Sequence, residues 1–133
     1  MKKFRTLRRD EGGAAVIEMA FAFPILIMML WMIVQAGLVF RAMSGIQHSL
    51  GEGARMATLW PVPSDSTITS RMTQAVYGIG PGTFNIPTPV SGTADGADYL
   101  DLKVTYTQKT DLLIVPGPTI SVSRSKRVWK SES

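Results

Sequence analysis

Hydrophobic positions change their rhythm along this chain. From Met19 to Phe40 the residues are continuously apolar; only Gln35 carries a polar side chain, and none is charged. These 22 residues rise about 33 Å as a helix, matching a bilayer hydrocarbon core of about 30 Å. From Arg41 to Trp60 the pattern turns amphipathic. Met43, Ile46, Leu50, Ala54 and Ala57 recur at steps of three and four, which predicts that the helix continues past the membrane. Near the C-terminus the period falls to two. Leu100, Leu102, Val104 and Tyr106 alternate with Asp101, Lys103 and Thr105, and Ile120 and Val122 alternate with serines. Both stretches read as half-buried strands.

Turn chemistry divides these regimes. Pro61 and Pro63 follow Trp60 and end the long helix, because proline disfavours helical geometry in the residue before it. Ser64 or Asp65 caps a shorter helix over about Ser66–Tyr77, with Ile68, Met72 and Val76 on one face. Gly78 to Asp98 is rich in Gly, Pro, Ser and Asp and reads as a loop region, with a short strand near Thr83–Ile86. Asp95-Gly96 is a turn signal; the acidic spacing lacks the pattern of a calcium loop. The two long strands join through Asp111–Pro118, across a short apolar run, Leu112–Val115. The predicted class is α+β: a long N-terminal transmembrane helix continuing into a small soluble domain with a short helix and a small antiparallel sheet packed on the long one. The expected divisions are a leader over 1–13, the helix over 14–60 with its membrane span about 19–40, and a soluble domain over 61–133.

Charge sets a direction. The net charge is +4, but Lys2, Lys3, Arg5, Arg8 and Arg9 against Asp10 and Glu11 place +3 in the first 13 residues. A basic flank before an apolar span predicts a cytoplasmic N-terminus with the bulk of the chain outside. The remainder is close to neutral, so the basic pI does not imply a nucleic-acid partner. The absence of cysteine excludes disulfides and thiolate chemistry. There is no metal-ligand cluster, phosphate-cradling glycine loop or histidine beside a nucleophile, and the single histidine, His48, reads as a helix-surface residue. The expectation is a protein that is not an enzyme and takes no cofactor. Arg124, Lys126, Arg127 and Lys130 read as a solvated basic edge, with contact to an acidic surface as the alternative.

Within the first half, three features stand out. Glu18 separates the short apolar stretch Ala14–Ile17 from the long run. A carboxylate held at mid-membrane costs about 2.5–3.5 kcal/mol, so Glu18 should lie near one face or have a partner. Pro24 removes one helical N–H and is expected to kink the helix, as membrane helices tolerate. Gly45, Gly51 and Gly53 each cost about 1 kcal/mol relative to alanine in a helix, which close packing against a neighbour would justify. Glu52 and Arg55, three apart, are placed to pair. The leader itself admits three readings. It is the positive flank of a plain anchor with a snorkelling glutamate, a signal peptide headed by Arg8-Arg9, or the start of a processed precursor. The apolar run is long for a signal peptide, and Arg41-Ala42-Met43 is a poor cleavage site.

A short basic leader, Gly13, four apolar residues, Glu18 and a long apolar helix resemble the processing signature of type IV pilins and pseudopilins. With Pro24 and the segment Gly51–Ala57, GEGARMA, the chain resembles the TadE-like family, minor pilins or pseudopilins of the tight-adherence (Flp) pilus. The matching residues are Gly13, Glu18, Pro24, Gly53, Ala54 and Arg55, within roughly Gly12–Ala57. The resemblance implies a pilin-like fold and cleavage by a prepilin peptidase between Gly13 and Ala14. It also implies an assembly role for Ala14 and Glu18, with the Ala14 ammonium of one subunit meeting the Glu18 carboxylate of its neighbour. Its implied partners are the peptidase, other pilins reached through the N-terminal helix, and the membrane. The implied location is the bacterial inner membrane, with the C-terminal domain periplasmic, or an extracellular pilus after processing. Met19 departs from the tyrosine usual in major Flp pilins, and the chain is longer than they are, so a minor subunit is implied. The alternatives are an unprocessed single-pass accessory protein and a secreted binding module.

Overall fold

The computed structural model describes residues 11–78 and 80–130. Residues 1–10 of the expected leader therefore lie outside the described residues. In chain order the elements are α1 (Glu11–Ala57), α2 (Asp65–Ala75), β1 (Thr83–Asn85), β2 (Val90–Ala94), β3 (Ala97–Asp111) and β4 (Pro116–Trp129). The architecture is α+β, a long apolar helix with a small antiparallel sheet and a short second helix.

Helix α1 runs 47 residues, about 70 Å, and its helical backbone passes through Pro24 unbroken. Its last turn is closed by the Thr58 hydroxyl, which donates to the Arg55 carbonyl at 2.9 Å, and by Leu59 N–H to Met56 O at 3.2 Å. Pro61 and Pro63 lie beyond this end. Ser64 is the N-cap of α2, its hydroxyl accepting from Thr67 N–H at 3.3 Å. Such a cap contributes about 1 kcal/mol. Ile68 and Met72 of α2 are buried against α1, as their four-residue spacing predicts.

Strand β3 is the spine of the sheet. Strand β4 pairs antiparallel along it from Tyr99↔Trp129 to Asp111↔Pro116, while β1 and β2 pair with separate stretches of β3, 105–107 and 97–101. The period-two pattern is realised over a longer range than expected. Leu100, Leu102, Val104, Tyr106, Gln108 and Thr110 all point inward, and their odd-numbered neighbours point outward. The inward face closes on α1, whose buried residues Gln35, Val39, Ala42, Gly45, Ile46, Ser49, Leu50, Gly53 and Ala57 form one helical stripe. Met43 and Ala54, expected on the core face, are only half-buried. The face is rotated toward small residues because the helix approaches its neighbours closely. The Tyr77 backbone occupies the space a Cβ on Gly45 would take, and Met72 Sδ lies 2.6 Å from a Cβ position on Gly53. Gly51 faces open space.

One expectation is corrected. The stretch assigned to a loop from Gly78 to Asp98 contains β2, which with the start of β3 makes a hairpin around Asp95-Gly96. Both turn residues have positive φ, 53° and 79°, the conformation whose twist suits a two-residue hairpin. The sequence hides the strand because it is only five residues long and Gly92 and Ala94 have weak strand preference. Pairing with β3 supplies what local propensity lacks.

Candidate functional site: a bare apolar helix and the hairpin clamped to it

The residues singled out in the first half of the chain all lie on the bare part of α1. Gly13, Ala14, Glu18 and Pro24 are exposed and sit within the helix. Ala14 and Glu18 are one turn apart and share a face. Between Val16 and Val34 the large apolar side chains, Met28 apart, are 38–71% exposed. A contiguous apolar surface of this extent marks a membrane or protein interaction face. This is the one helix among the described residues long and apolar enough to cross a bilayer, with a mean hydropathy of 2.3 in its most apolar stretch.

Counting from the N-terminus, the first hydrogen bond from α1 to the sheet among the described residues is made by Trp31. Its indole N–H donates to Asp111 Oδ1 at 2.8 Å. One turn later Gln35 grips the same residue twice. Its amide N–H donates to the Asp111 carbonyl, and its Oε1 accepts the Asp111 N–H at 3.2 Å. Asp111 ends β3, and the turn it opens is itself ordered by hydrogen bonds. Asp111 Oδ1 accepts Leu113 N–H at 3.2 Å, and Leu112 N–H donates to Val115 O at 2.8 Å. The only polar side chain in the apolar run is therefore 5% exposed and committed to a β-turn. Trp31 is one of many apolar residues in the run and carries no sequence signal of its contact with Asp111. The polarity of Gln35 inside an apolar run was the signal available, and its partner could not be read from spacing because it lies 76 residues away.

Further up, charge joins the helices. Glu52 accepts from Arg55 at 3.3 Å, as the three-residue spacing predicts, and from Arg71 of α2 at 3.1 Å. The hydrogen bond from Arg55, joined by that from Arg71, holds the Glu52 carboxyl below its ordinary pKa. On the sheet, Arg127 makes two 2.8 Å hydrogen bonds to the Asp101 carboxylate and stacks 3.9 Å over the Tyr99 ring. That pairing lowers the Asp101 pKa and raises that of Arg127. Arg127 is thus bound in place rather than free in the basic edge, while Arg124 and Lys126 remain exposed. His48 is exposed beside the Tyr77 ring at 5.7 Å. Among the described residues no group of His, Asp and Glu has a metal-binding arrangement.

The element that dominates this molecule is therefore α1, bare below and docked above. The family model described as "TadE-like protein" matches residues 13–55. These residues form a TadE-like segment. It begins at the glycine singled out from the leader and stops two residues short of the end of α1, in agreement with the resemblance over Gly12–Ala57. The segment spans both the bare and the docked part of the helix; α2 and the sheet lie beyond it. No curated protein and no solved structure gives a significant match.

Proposed function

We propose that this chain is a minor pilin, or pseudopilin, of a tight-adherence pilus, held in the inner membrane by α1 and recruited into a pilus or its initiation complex by helix packing. The observation that carries this reading is the position of the TadE-like segment on a helix whose large apolar side chains from Val16 to Ile27 are left exposed. In this reading a prepilin peptidase cuts between Gly13 and Ala14. Gly12 and Gly13 each weaken helix by about 1 kcal/mol, so the backbone before the bond unwinds more cheaply into the extended form a protease cleft requires. Cleavage frees an α-amine on Ala14 with an ordinary pKa of about 7.7–8.0, largely protonated at neutral pH. In a staggered assembly that ammonium meets the Glu18 carboxylate of an adjacent subunit. In an apolar medium an unpaired charge is costly, so the pair selects the axial register.

The chain would then act by assembly, with no catalytic or nucleic-acid-binding role and with its domain on the periplasmic side. The test is the intact mass and N-terminal sequence of membrane-extracted protein, with and without a prepilin peptidase. A peptidase-dependent start at Ala14 is expected. Retention of Met1 would point to an unprocessed anchor, and a start beyond Phe40 to a secreted module. Gly13→Trp is expected to abolish cleavage, whereas Glu18→Ala leaves cleavage intact and depletes the subunit from the sheared pilus fraction. Normal incorporation of Glu18→Ala would remove the register role.

A further inference from the structure

The β3–β4 turn lies where a soluble domain has no reason to place an apolar tip. Leu113, Ile114 and Val115 are 54%, 74% and 52% exposed, yet the turn is pinned through Asp111 to Trp31 and Gln35. Both of those residues lie inside the uncharged run Met19–Phe40, so whatever medium surrounds α1 at Trp31 also surrounds the tip. Leu113 adds a second observation. It adopts φ 71°, a left-handed conformation that glycine or asparagine takes at much lower cost than a leucine. A large apolar side chain is held there against backbone preference, and it points away from the core.

Building on the single-pass topology proposed above, we propose that Leu112–Val115 is an interfacial membrane anchor. It seats in the outer lipid surface and places the waterline at Trp31, so that α1 crosses the bilayer over 12–30 and not 19–40. The lengths agree. Those 19 residues rise about 28 Å, close to the hydrocarbon thickness of about 30 Å. A span reaching Phe40 would instead sink the tip about 14 Å, taking Asp111, Lys109 and the open edges of the hairpin into hydrocarbon. Unpaired backbone and charge are excluded there. An indole whose N–H is hydrogen-bonded and whose ring is apolar belongs at the interface, and the short apolar tip beside it buries to the headgroup–acyl boundary. One consequence is that Glu18 lies about 20 Å below Trp31, inside the inner leaflet, which makes a partner for it more necessary.

The chain contains no cysteine, so single cysteines report position directly. Full-length Leu113→Cys, Ile114→Cys, Ile25→Cys, Phe40→Cys and Ser91→Cys would each be labelled with an environment-sensitive fluorophore. The labelled proteins would be reconstituted in vesicles of equal parts phosphatidylethanolamine and phosphatidylglycerol, with and without brominated acyl chains. Blue-shifted emission and bromine quenching are expected at 113, 114 and 25, with water-like, unquenched emission at 40 and 91. Water-like emission at 113 and 114 with quenching at 25 would overturn the anchor and leave the single-pass reading standing. So would efficient disulfide cross-linking of Leu113→Cys between copies without quenching, which would assign the tip to a second subunit. Quenching at 40 equal to that at 25 would overturn the waterline at Trp31. No quenching at 25 would overturn both the anchor and the single-pass reading.

Discussion

The two halves of α1 share one backbone and one secondary structure but are stabilised by different surroundings. Below Trp31 the helix makes no hydrogen bond to the sheet among the described residues, and from Met19 its exposed side chains are apolar all round. From Gln35 upward one stripe is covered by α2 and the sheet. That stripe alternates large residues such as Ile46 and Leu50 with Ala42, Gly45, Gly53 and Ala57. Lipid accepts any apolar shape, so a helix half that spans a membrane needs only hydrophobicity. A packed interface forbids both voids and overlap, so the upper half needs particular volumes at particular positions. Continuous apolarity and small-large alternation are the sequence marks of these two environments.

The sharpest way to break this comparison is to make the same change in both halves. Ile46→Ala, fully buried, is expected to destabilise the domain by about 2–5 kcal/mol, read by denaturant unfolding in detergent. Ile25→Ala, 62% exposed, should leave the domain midpoint unchanged. Equal losses would mean that the lower half is also part of the folded unit. A smaller effect, of opposite sign at two neighbouring glycines, sharpens it. Gly53→Val forces a side chain into Met72 and Leu102 and should cost about 1–3 kcal/mol. Gly51→Ala meets nothing within 4 Å and should gain up to about 1 kcal/mol from helix propensity. If both destabilise, the stripe of contact has been assigned too narrowly.

The smallest expected effect concerns the charge link between α1 and α2. The folded state lowers the Glu52 pKa through Arg55 and then Arg71. A depressed carboxyl pKa stabilises the fold above the group's unfolded pKa, and that contribution is lost as pH falls through the lower, folded value. The melting temperature of the native chain should therefore exceed that of Glu52→Gln at neutral pH, with the gap closing below the ordinary glutamate range. The gap should also shrink in high salt, since the group is solvent-accessible. A gap independent of pH would show that Glu52 acts through packing instead of charge.

Much of this molecule was legible from residue order. Apolar continuity marked the bare helix, and Gly13 with Glu18 marked the segment that the family model matches. Ser64 announced α2, and the period-two alternation announced β3 and β4. Each of these signals is local, so spacing along the chain carries it. The serine- and glycine-bearing strand β2 was missed, because its stability comes from its pairing with β3. The basic edge is exposed as expected, but the pairing of Arg127 with Asp101 is not legible, because the two are 26 residues apart and only the antiparallel register brings them together.

The sequence by itself determined that a long apolar helix leads into a small helix-and-strand domain, because period and composition depend on each residue and its near neighbours. It could not determine where along that helix the domain takes hold. Hydropathy records what a side chain is, and both lipid and a packed sheet cover apolar surface. Only the tertiary structure placed Asp111 against Trp31 and Gln35, inside the run that hydropathy alone assigns to the bilayer, because a β-hairpin can return the chain to a point 76 residues earlier.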